Sequence, residues 1–211
     1  SFNYQIPSDI SSSAFFIILT ALSKKSKLSI KNVNINPSRM GIIKILKIMN
    51  IKIKIKNLKN YKGEKIADLS VRSQKNIKPI NCPTKLNSAS IDEFLLIFLA
   101  AAKADGVSYF KNLSELNEKE SPRLKWGGKI LNKMGIKTIV TKDSIKIYGN
   151  PNLQISKKVT IKDFLKDHRV FMTSVVAALT FGGHWQIADK DSINTSFPTF
   201  LDKLKDLGVK I

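Results

Sequence analysis

Apolar residues recur at helical spacing in some stretches of this chain and at every second position in others, and the two kinds of stretch alternate. Phe2–Ile6 reads as a strand. Ser8-Asp9 caps a helix over Ile10–Leu22, with Ala14, Phe15, Ile18 and Leu22 among its apolar positions. Leu28–Val33 alternates with period two and predicts a strand. Asn36-Pro37 opens a second helix, Asn as cap and Pro at the first helical position, which carries Ile42, Ile45, Leu46 and Met49. Ile51–Ile55 and Ala67–Val71 follow as strands.

The order then recurs. Ser90-x-x-Glu93 has the form of a capping box ahead of an apolar helix over Ile91–Ala104. Val107–Leu113 predicts a strand, and Ser121-Pro122 a helix start running through Ile130 and Met134. Ile136–Val140 and Ser144–Tyr148 predict a hairpin about Lys142-Asp143. In a third round Asp167 caps a helix over His168–Phe181 that Gly182-Gly183 ends. Trp185–Ala188 is a strand, Ser196-Phe197-Pro198 opens a last helix, and Val209–Ile211 begins a further strand. The second helix of each round ends alike, as Ile45-Leu46-x-x-Met49-Asn50-Ile51, Ile130-Leu131-x-x-Met134-Gly135-Ile136 and Lys203-Leu204-x-x-Leu207-Gly208-Val209. Caps, prolines and periodicity together predict an α/β domain of pseudo-threefold repeated strand-helix-strand-helix-strand-strand units, at about residues 1–75, 76–150 and 151–211. An ordinary doubly wound sheet that resembles itself by chance is the alternative.

Composition narrows the classes. With 43% apolar and 25% charged residues in 211, the chain is globular and long enough to bury a core. Cys82 stands alone, so no disulfide forms within the chain, and two histidines, His168 and His184, leave a Cys/His zinc site short of ligands. Apolar runs such as Phe94–Ala102 are too short to cross a bilayer, and no basic-then-apolar leader is present, which predicts a cytoplasmic protein without a membrane partner. The start at Ser1, without Met, suggests a piece of a longer protein.

The net charge of +20 admits three readings. It is drift in a Lys-, Ile- and Asn-rich composition, a footprint for nucleic acid, or a field that captures an anionic small molecule. The densest basic stretch, Lys44 to Lys65, holds one aromatic residue, Tyr61, whereas a single-strand binder interleaves aromatics for stacking. No nucleic-acid partner is therefore expected.

Three clusters fall at predicted helix starts, where free N–H groups and the helix dipole favour anions: Ser90-Ile91-Asp92-Glu93, Lys119-Glu120-Ser121-Pro122-Arg123 and Asp167-His168-Arg169. Arg123 and Arg169 offer bidentate forks, Asp92 and Glu120 can exchange protons, and Lys119 can hold a ligand oxygen. Each also has a plainer reading: Asp92 and Glu93 complement the dipole, Glu120 and Arg123 form a surface ion pair, His168 is a hydrogen-bonded structural residue. No Gly-x-Ser-x-Gly elbow, Walker loop or dinucleotide glycine pattern occurs.

Taken in order, these runs resemble the enolpyruvyl transferases, in the branch of the 5-enolpyruvylshikimate-3-phosphate synthases. The matching segments are Pro7-Ser8-Asp9-Ile10-Ser11-Ser12-Ser13-Ala14-Phe15-Phe16, Asn36-Pro37-Ser38-Arg39-Met40-Gly41, Ile91-Asp92-Glu93, Lys119-Glu120-Ser121-Pro122-Arg123, Asp167-His168-Arg169 and Ser196-Phe197-Pro198-x-Phe200. The resemblance covers nearly the whole chain. It implies an inside-out α/β fold of two domains, each of three repeated units, of which this chain is most of one. The other domain, and a short segment completing this one, belong to an N-terminal half that also carries substrate-binding residues and is a partner of this chain. The implied substrates are shikimate-3-phosphate and phosphoenolpyruvate, and general acid–base work with cationic clamping requires no metal and no organic cofactor. Residue by residue, the resemblance makes Asp92 the contact of the shikimate hydroxyl and proton acceptor, and Glu120 the acid toward the methylene carbon of phosphoenolpyruvate. Lys119 becomes a shikimate-3-phosphate contact, Arg123 and Arg169 phosphoenolpyruvate-binding arginines, and His168 a residue behind them. The sequence departs from the family pattern at Asn117-Glu118 (for Arg-Val), Pro122 (for Asp), Ser8 (for Gly) and Thr195, where many members have Lys. The sister transferases that act on UDP-N-acetylglucosamine share the implied fold but lack Lys-Glu-Ser-x-Arg and Asp-His-Arg.

Overall fold

The first helix starts where its cap requires. In the computed structural model, which describes residues 5–210, Asp9 has extended backbone angles (φ −75°, ψ 135°) and accepts the backbone N–H of Ser12 at 2.7 Å. Helix α1 (Ile10–Leu22) is buried at every position except Ser12. Strand β1 (Lys27–Asn34) follows, then a single 3-10 turn, Pro37–Arg39, capped by Asn36. The helix expected from Asn36-Pro37 therefore begins in two pieces, with α2 (Gly41–Ile48) starting only after Met40. β2 (Ile53–Tyr61) and β3 (Glu64–Arg72) form a long hairpin turning at Lys62-Gly63, both with positive φ. β3 lies in the middle, antiparallel to both neighbours, so that Leu69 stands opposite Ile30 on one side and Ile55 on the other. The hairpin is longer than the apolar pattern alone predicts, because β2 is an exposed edge strand whose Lys54, Lys56 and Lys59 face water. Lysines on an edge strand discourage pairing with another sheet.

The second round repeats this connectivity. Helix α3 (Phe94–Ala102) is buried along its whole length. It leads to β4 (Val107–Phe110), α4 (Arg123–Met134), β5 (Thr138–Val140) and β6 (Ile145–Tyr148), in a sheet of order β4-β6-β5 that matches β1-β3-β2. Helix α4 turns Leu124, Ile130, Leu131 and Met134 inward and ends on Gly135 in the left-handed conformation. The third round is β7 (Lys158–Ile161), α5 (His168–Phe181), β8 (His184–Ile187) and α6 (Phe200–Asp206), with β7 and β8 parallel. The first two rounds keep a trace of that parallel strand in isolated bridges, Ser8 to Val33 and Asn81 to Tyr109. Helices α1, α3 and α5 pack against one another in one core, with the sheets outside them, which makes this an inside-out α/β fold with pseudo-threefold order.

Several expectations are corrected. The Ser90/Glu93 capping box does not form: residues 88–93 make a 3-10 turn kinked at Ser90, whose hydroxyl donates back to the Leu86 carbonyl at 2.6 Å, and the helix proper begins at Phe94. Val107–Leu113 stops pairing at Phe110, before Asn112 takes a left-handed turn. Ser196-Phe197-Pro198 precedes α6 as a turn. β7 was not expected from the sequence. In the strand expected over Phe2–Ile6, Phe2–Tyr4 lie outside the described residues and Gln5 and Ile6 are unpaired. In that expected over Val209–Ile211, Ile211 lies outside them and Val209 and Lys210 form no strand.

Candidate functional site

The first turns of the three central helices meet. Ser11, in the first turn of α1, donates its hydroxyl to Glu93 Oε1, just before α3, at 2.5 Å. Arg169, in the first turn of α5, donates from Nη1 to the Asp92 carbonyl at 2.9 Å. Helix starts carry unpaired N–H groups and positive dipole ends, so their meeting point favours anionic groups. The segment before α4 closes the cluster with Lys119, Glu120 and Ser121.

Arg123 organises this cluster from beneath. Its side chain is only 2% exposed. Nε donates to Asp167 Oδ2 at 2.8 Å, Nη2 to Asp167 Oδ1 at 3.3 Å and to Glu120 Oε2, and Nη1 to Asp92 Oδ1 at 3.3 Å. Three carboxylates from three segments thus converge on one planar cation, a geometry a guanidinium fork can serve and a point-charge ammonium cannot. Asp167 is fully buried and also accepts the Ser121 hydroxyl at 2.8 Å and the Arg169 backbone N–H at 2.9 Å. Burial works to raise its carboxyl, but Arg123, Ser121 and the N–H of Arg169 together hold it below the usual carboxylate range.

Above Arg123 the site opens. Asp92 is flanked by Lys119 Nζ at 3.7 Å and Arg169 Nη2 at 3.9 Å, and Lys119 also reaches Glu115 at 3.6 Å. Glu120 is half exposed. The structure therefore brings together all five residues singled out for substrate or proton handling: Asp92, Lys119, Glu120, Arg123 and Arg169. Arg123 differs from the open fork expected of it, because its donors already serve Asp167, Asp92 and Glu120. His168 is half buried beside them, and burial with the neighbouring Arg169 charge holds its imidazole below the ordinary histidine value. Thr195 turns its hydroxyl to the Ser192 carbonyl at 3.1 Å and is no part of the cluster. A surface hollow of about 960 Å³, lined by Lys125, Lys129 and Lys133 of α4, contains none of the five.

Sequence reasoning missed the supporting residues. Asp167 caps α5 as its sequence position predicts, but the pattern gives no sign that it also binds Arg123 or that Ser121 binds it. Proline at 122 deprives α4 of a side-chain cap, which leaves Ser121 free to face Asp167. Ser11, Arg39 and Glu93 are joined only by the fold, because Ser11 and Glu93 lie 82 residues apart. Among the described residues no helix is long and apolar enough to cross a membrane.

Comparison with known proteins bears on the family and the fold. Residues 1–204 match the family model of EPSP synthase (3-phosphoshikimate 1-carboxyvinyltransferase). The chain is 37% identical over 211 residues to the 3-phosphoshikimate 1-carboxyvinyltransferase of Ruthia magnifica subsp. Calyptogena magnifica, covering 100% of this chain and 48% of that protein. It is 38% identical over 209 residues to that of Vesicomyosocius okutanii subsp. Calyptogena okutanii, covering 99% and 47%. Among solved structures, EPSP synthase from Acinetobacter baumannii superposes with a TM-score of 0.89 at 34% identity, over 97% of this chain and 46% of that one. The enolpyruvyl transferase NikO from Streptomyces tendae, at 15% identity and a TM-score of 0.73, shares the fold. The chain spans about half the length of the curated relatives it matches. By that match along nearly its whole length, the chain belongs to the EPSP synthase family.

Proposed function

We propose that this chain is most of one domain of a cytoplasmic enzyme that transfers the enolpyruvyl group of phosphoenolpyruvate to the 5-hydroxyl of shikimate-3-phosphate, with repeat units at about residues 1–75, 76–150 and 151–211. The observation that carries the reading is the pair Asp92 and Glu120, a base and an acid held on the single buried cation Arg123, with Lys119 and Arg169 flanking Asp92. Glu120, on the open side, gives a proton to the methylene carbon of phosphoenolpyruvate and leaves its central carbon electron-poor. The 5-hydroxyl oxygen adds there while Asp92 takes its proton. Phosphate then departs with the proton that Asp92 took up, as a methyl proton returns to Glu120, which restores the double bond in the product and both carboxyl groups. Lys119 contacts shikimate-3-phosphate. Arg169, 13% exposed, faces the phosphoenolpyruvate anion, Arg123 supports that anion site from beneath by holding Asp92 and Glu120, and His168 stands behind them. The second domain, from an N-terminal half, supplies the facing wall and the remaining substrate contacts. Neither a metal, an organic cofactor nor nucleic acid enters this reading.

Phosphate release in the presence of both substrates tests it. The isolated chain is expected to show no turnover, because reactants must be held between two walls. In the enzyme completed with its N-terminal half, Glu120→Gln is expected to lower kcat by ~10²–10⁴-fold with substrate binding retained. Arg169→Ala is expected to raise the KM for phosphoenolpyruvate. Robust turnover by the isolated chain, or wild-type kinetics in both variants, overturns the reading.

A further inference from the structure

Glu93 occupies the N-cap position of α3 but does not cap it: its backbone angles are φ −102°, ψ 0°, and its side chain accepts no N–H of that helix. The side chain is 2% exposed, and its carboxylate serves two other elements. Oε1 accepts the Ser11 hydroxyl at 2.5 Å and lies 3.8 Å from Arg169 Nη1. Ser11 points out of its helix: Ser13 bonds back to the Asp9 carbonyl at 2.7 Å and Ser12 to the Asp9 carboxylate at 3.0 Å, whereas Ser11 reaches Glu93. The Ser11 oxygen in turn accepts Nη2 of Arg39, from the 3-10 turn before α2, at 2.7 Å. Because Arg39 can only donate, the Ser11 proton is directed to Glu93, and the order of donors along the chain of contacts is fixed. Burial pushes the Glu93 carboxyl up, opposed by Ser11, Arg169 and Arg39 and reinforced by the charge of Asp92, so these four groups are the ones it senses.

We propose that Arg39, Ser11 and Glu93 form a positioning relay that sets the orientation of Arg169, through which the first repeat unit controls anion capture by the third. None of the three shares a hydrogen bond or ion pair with Lys119 or Glu120, and they act through Arg169. Its fork is shared between the Asp92 carbonyl at 2.9 Å and the two carboxylates at 3.8 and 3.9 Å, so its angle depends on where Glu93 is held. The anion-capture part rests on the proposed role of Arg169; the orientation part does not.

The test uses the full 211-residue chain, labelled so that the Nε–Hε resonances of its arginines are resolved, with phosphoenolpyruvate as the titrant. Arg39 is exposed, so Arg39→Gln keeps the fold even if Glu93→Gln does not. A relay predicts that each variant displaces the Arg169 resonance before ligand is added, that each weakens phosphoenolpyruvate binding by about 3–10-fold, and that the double variant is no worse than the weaker-binding single variant. A simple field effect predicts opposite signs, because Arg39→Gln removes a positive charge and Glu93→Gln a negative one. Opposite signs, or an Arg169 resonance unmoved in Arg39→Gln, overturn the relay. A wild-type chain that binds no phosphoenolpyruvate overturns anion capture by this chain on its own, while an Arg169 resonance still displaced in the variants supports the orientation part of the relay.

Discussion

Asp167→Asn separates the foundation of the site from its chemistry. Asp167 receives four hydrogen bonds: two from Arg123, one from Ser121 and one from the first turn of α5. Asparagine keeps the shape and one acceptor oxygen, so the cap survives. Its amide nitrogen, however, meets donors of Arg123 with donors of its own. At least one bond to a charged group is lost, each worth about 1.5–3 kcal/mol. A guanidinium with 2% exposure is left under-neutralised, and breaking a buried pair costs about 3–5 kcal/mol in all. Against a total stability of about 5–15 kcal/mol this is severe. At about 2–4 °C per kcal/mol for a chain of this size, the melting temperature falls by about 6–20 °C. Glu120→Gln removes another carboxylate from the same arginine, but one that is half exposed, and costs about 1 kcal/mol or less. Urea denaturation followed by circular dichroism measures both. Adding Arg123→Met to Asp167→Asn returns part of the loss, since the stranded charge goes with it. A cost below about 1 kcal/mol for Asp167→Asn, or equal costs for the two single variants, refutes a structural role for the buried pair.

Four further outcomes are expected. Acidification from about pH 7 to 5 destabilises the wild type relative to His168→Gln, because a histidine whose folded value is depressed takes up its proton more readily when unfolded; the comparison is by difference because Glu93, raised by burial, works in the opposite sense over the same window. Below the usual carboxylate range a second loss appears as Asp167, whose folded value is depressed, is protonated, and urea midpoints that rise on acidification contradict this. Burial pushes the Cys82 thiol up to about 11, so a thiol reagent at pH 8 modifies the native chain slowly and the urea-unfolded chain fast; rapid native modification contradicts its burial. Gly149→Ala places a methyl 2.2 Å from the Ala104 carbonyl oxygen and 2.6 Å from that of Ala101, and since backbone cannot give way cheaply the urea midpoint falls by the equivalent of about 1–3 kcal/mol; an unchanged midpoint counts against the close approach.

The central helices were legible because their signals are local. Asp9 and Asp167 cap where the sequence places them, and apolar runs of about three turns belong in a core wherever they occur. The capping box failed because Ser90 and Glu93 each had a competing partner, Leu86 and Ser11, that outweighed the local motif. The hairpin of β2 and β3 was under-read because an edge strand needs only one apolar face and its lysines hid the alternation. β7 escaped notice because Lys158–Ile161 offers four residues, too few for periodicity, and it is recognised only by pairing with β8. Its counterparts at Ser8 and Asn81 are single bridges that leave almost no sequence trace.

Charge was the most conspicuous feature of the sequence and the least informative about the site. The cluster gathers Arg39, Lys119, Arg123 and Arg169 with Asp92, Glu93, Glu115, Glu120 and Asp167, so acids outnumber bases there. The excess of +20 resides elsewhere, on exposed lysines such as those of the β2 edge and the outer face of α4. What marks the site is the number of partners each charged group has. Exposed lysines have one acidic partner, as Lys31, Lys166, Lys203 and Lys205 do, or, like Lys125 and Lys129 of α4, none among the described residues, whereas Arg123 is shared by three carboxylates from three segments. Such sharing is costly to assemble unless position matters. It fixes Asp92 and Glu120 at defined places before any ligand arrives, and under the proposed function less order need then be imposed when the reactants bind. The same balance limits what this wall does alone. Its cations are largely neutralised by its own acids, so a doubly or triply charged phosphate ester finds little net attraction here. The proposed function therefore expects weak, NMR-detectable phosphoenolpyruvate binding by the chain itself, and tight binding only with additional cations from a facing wall.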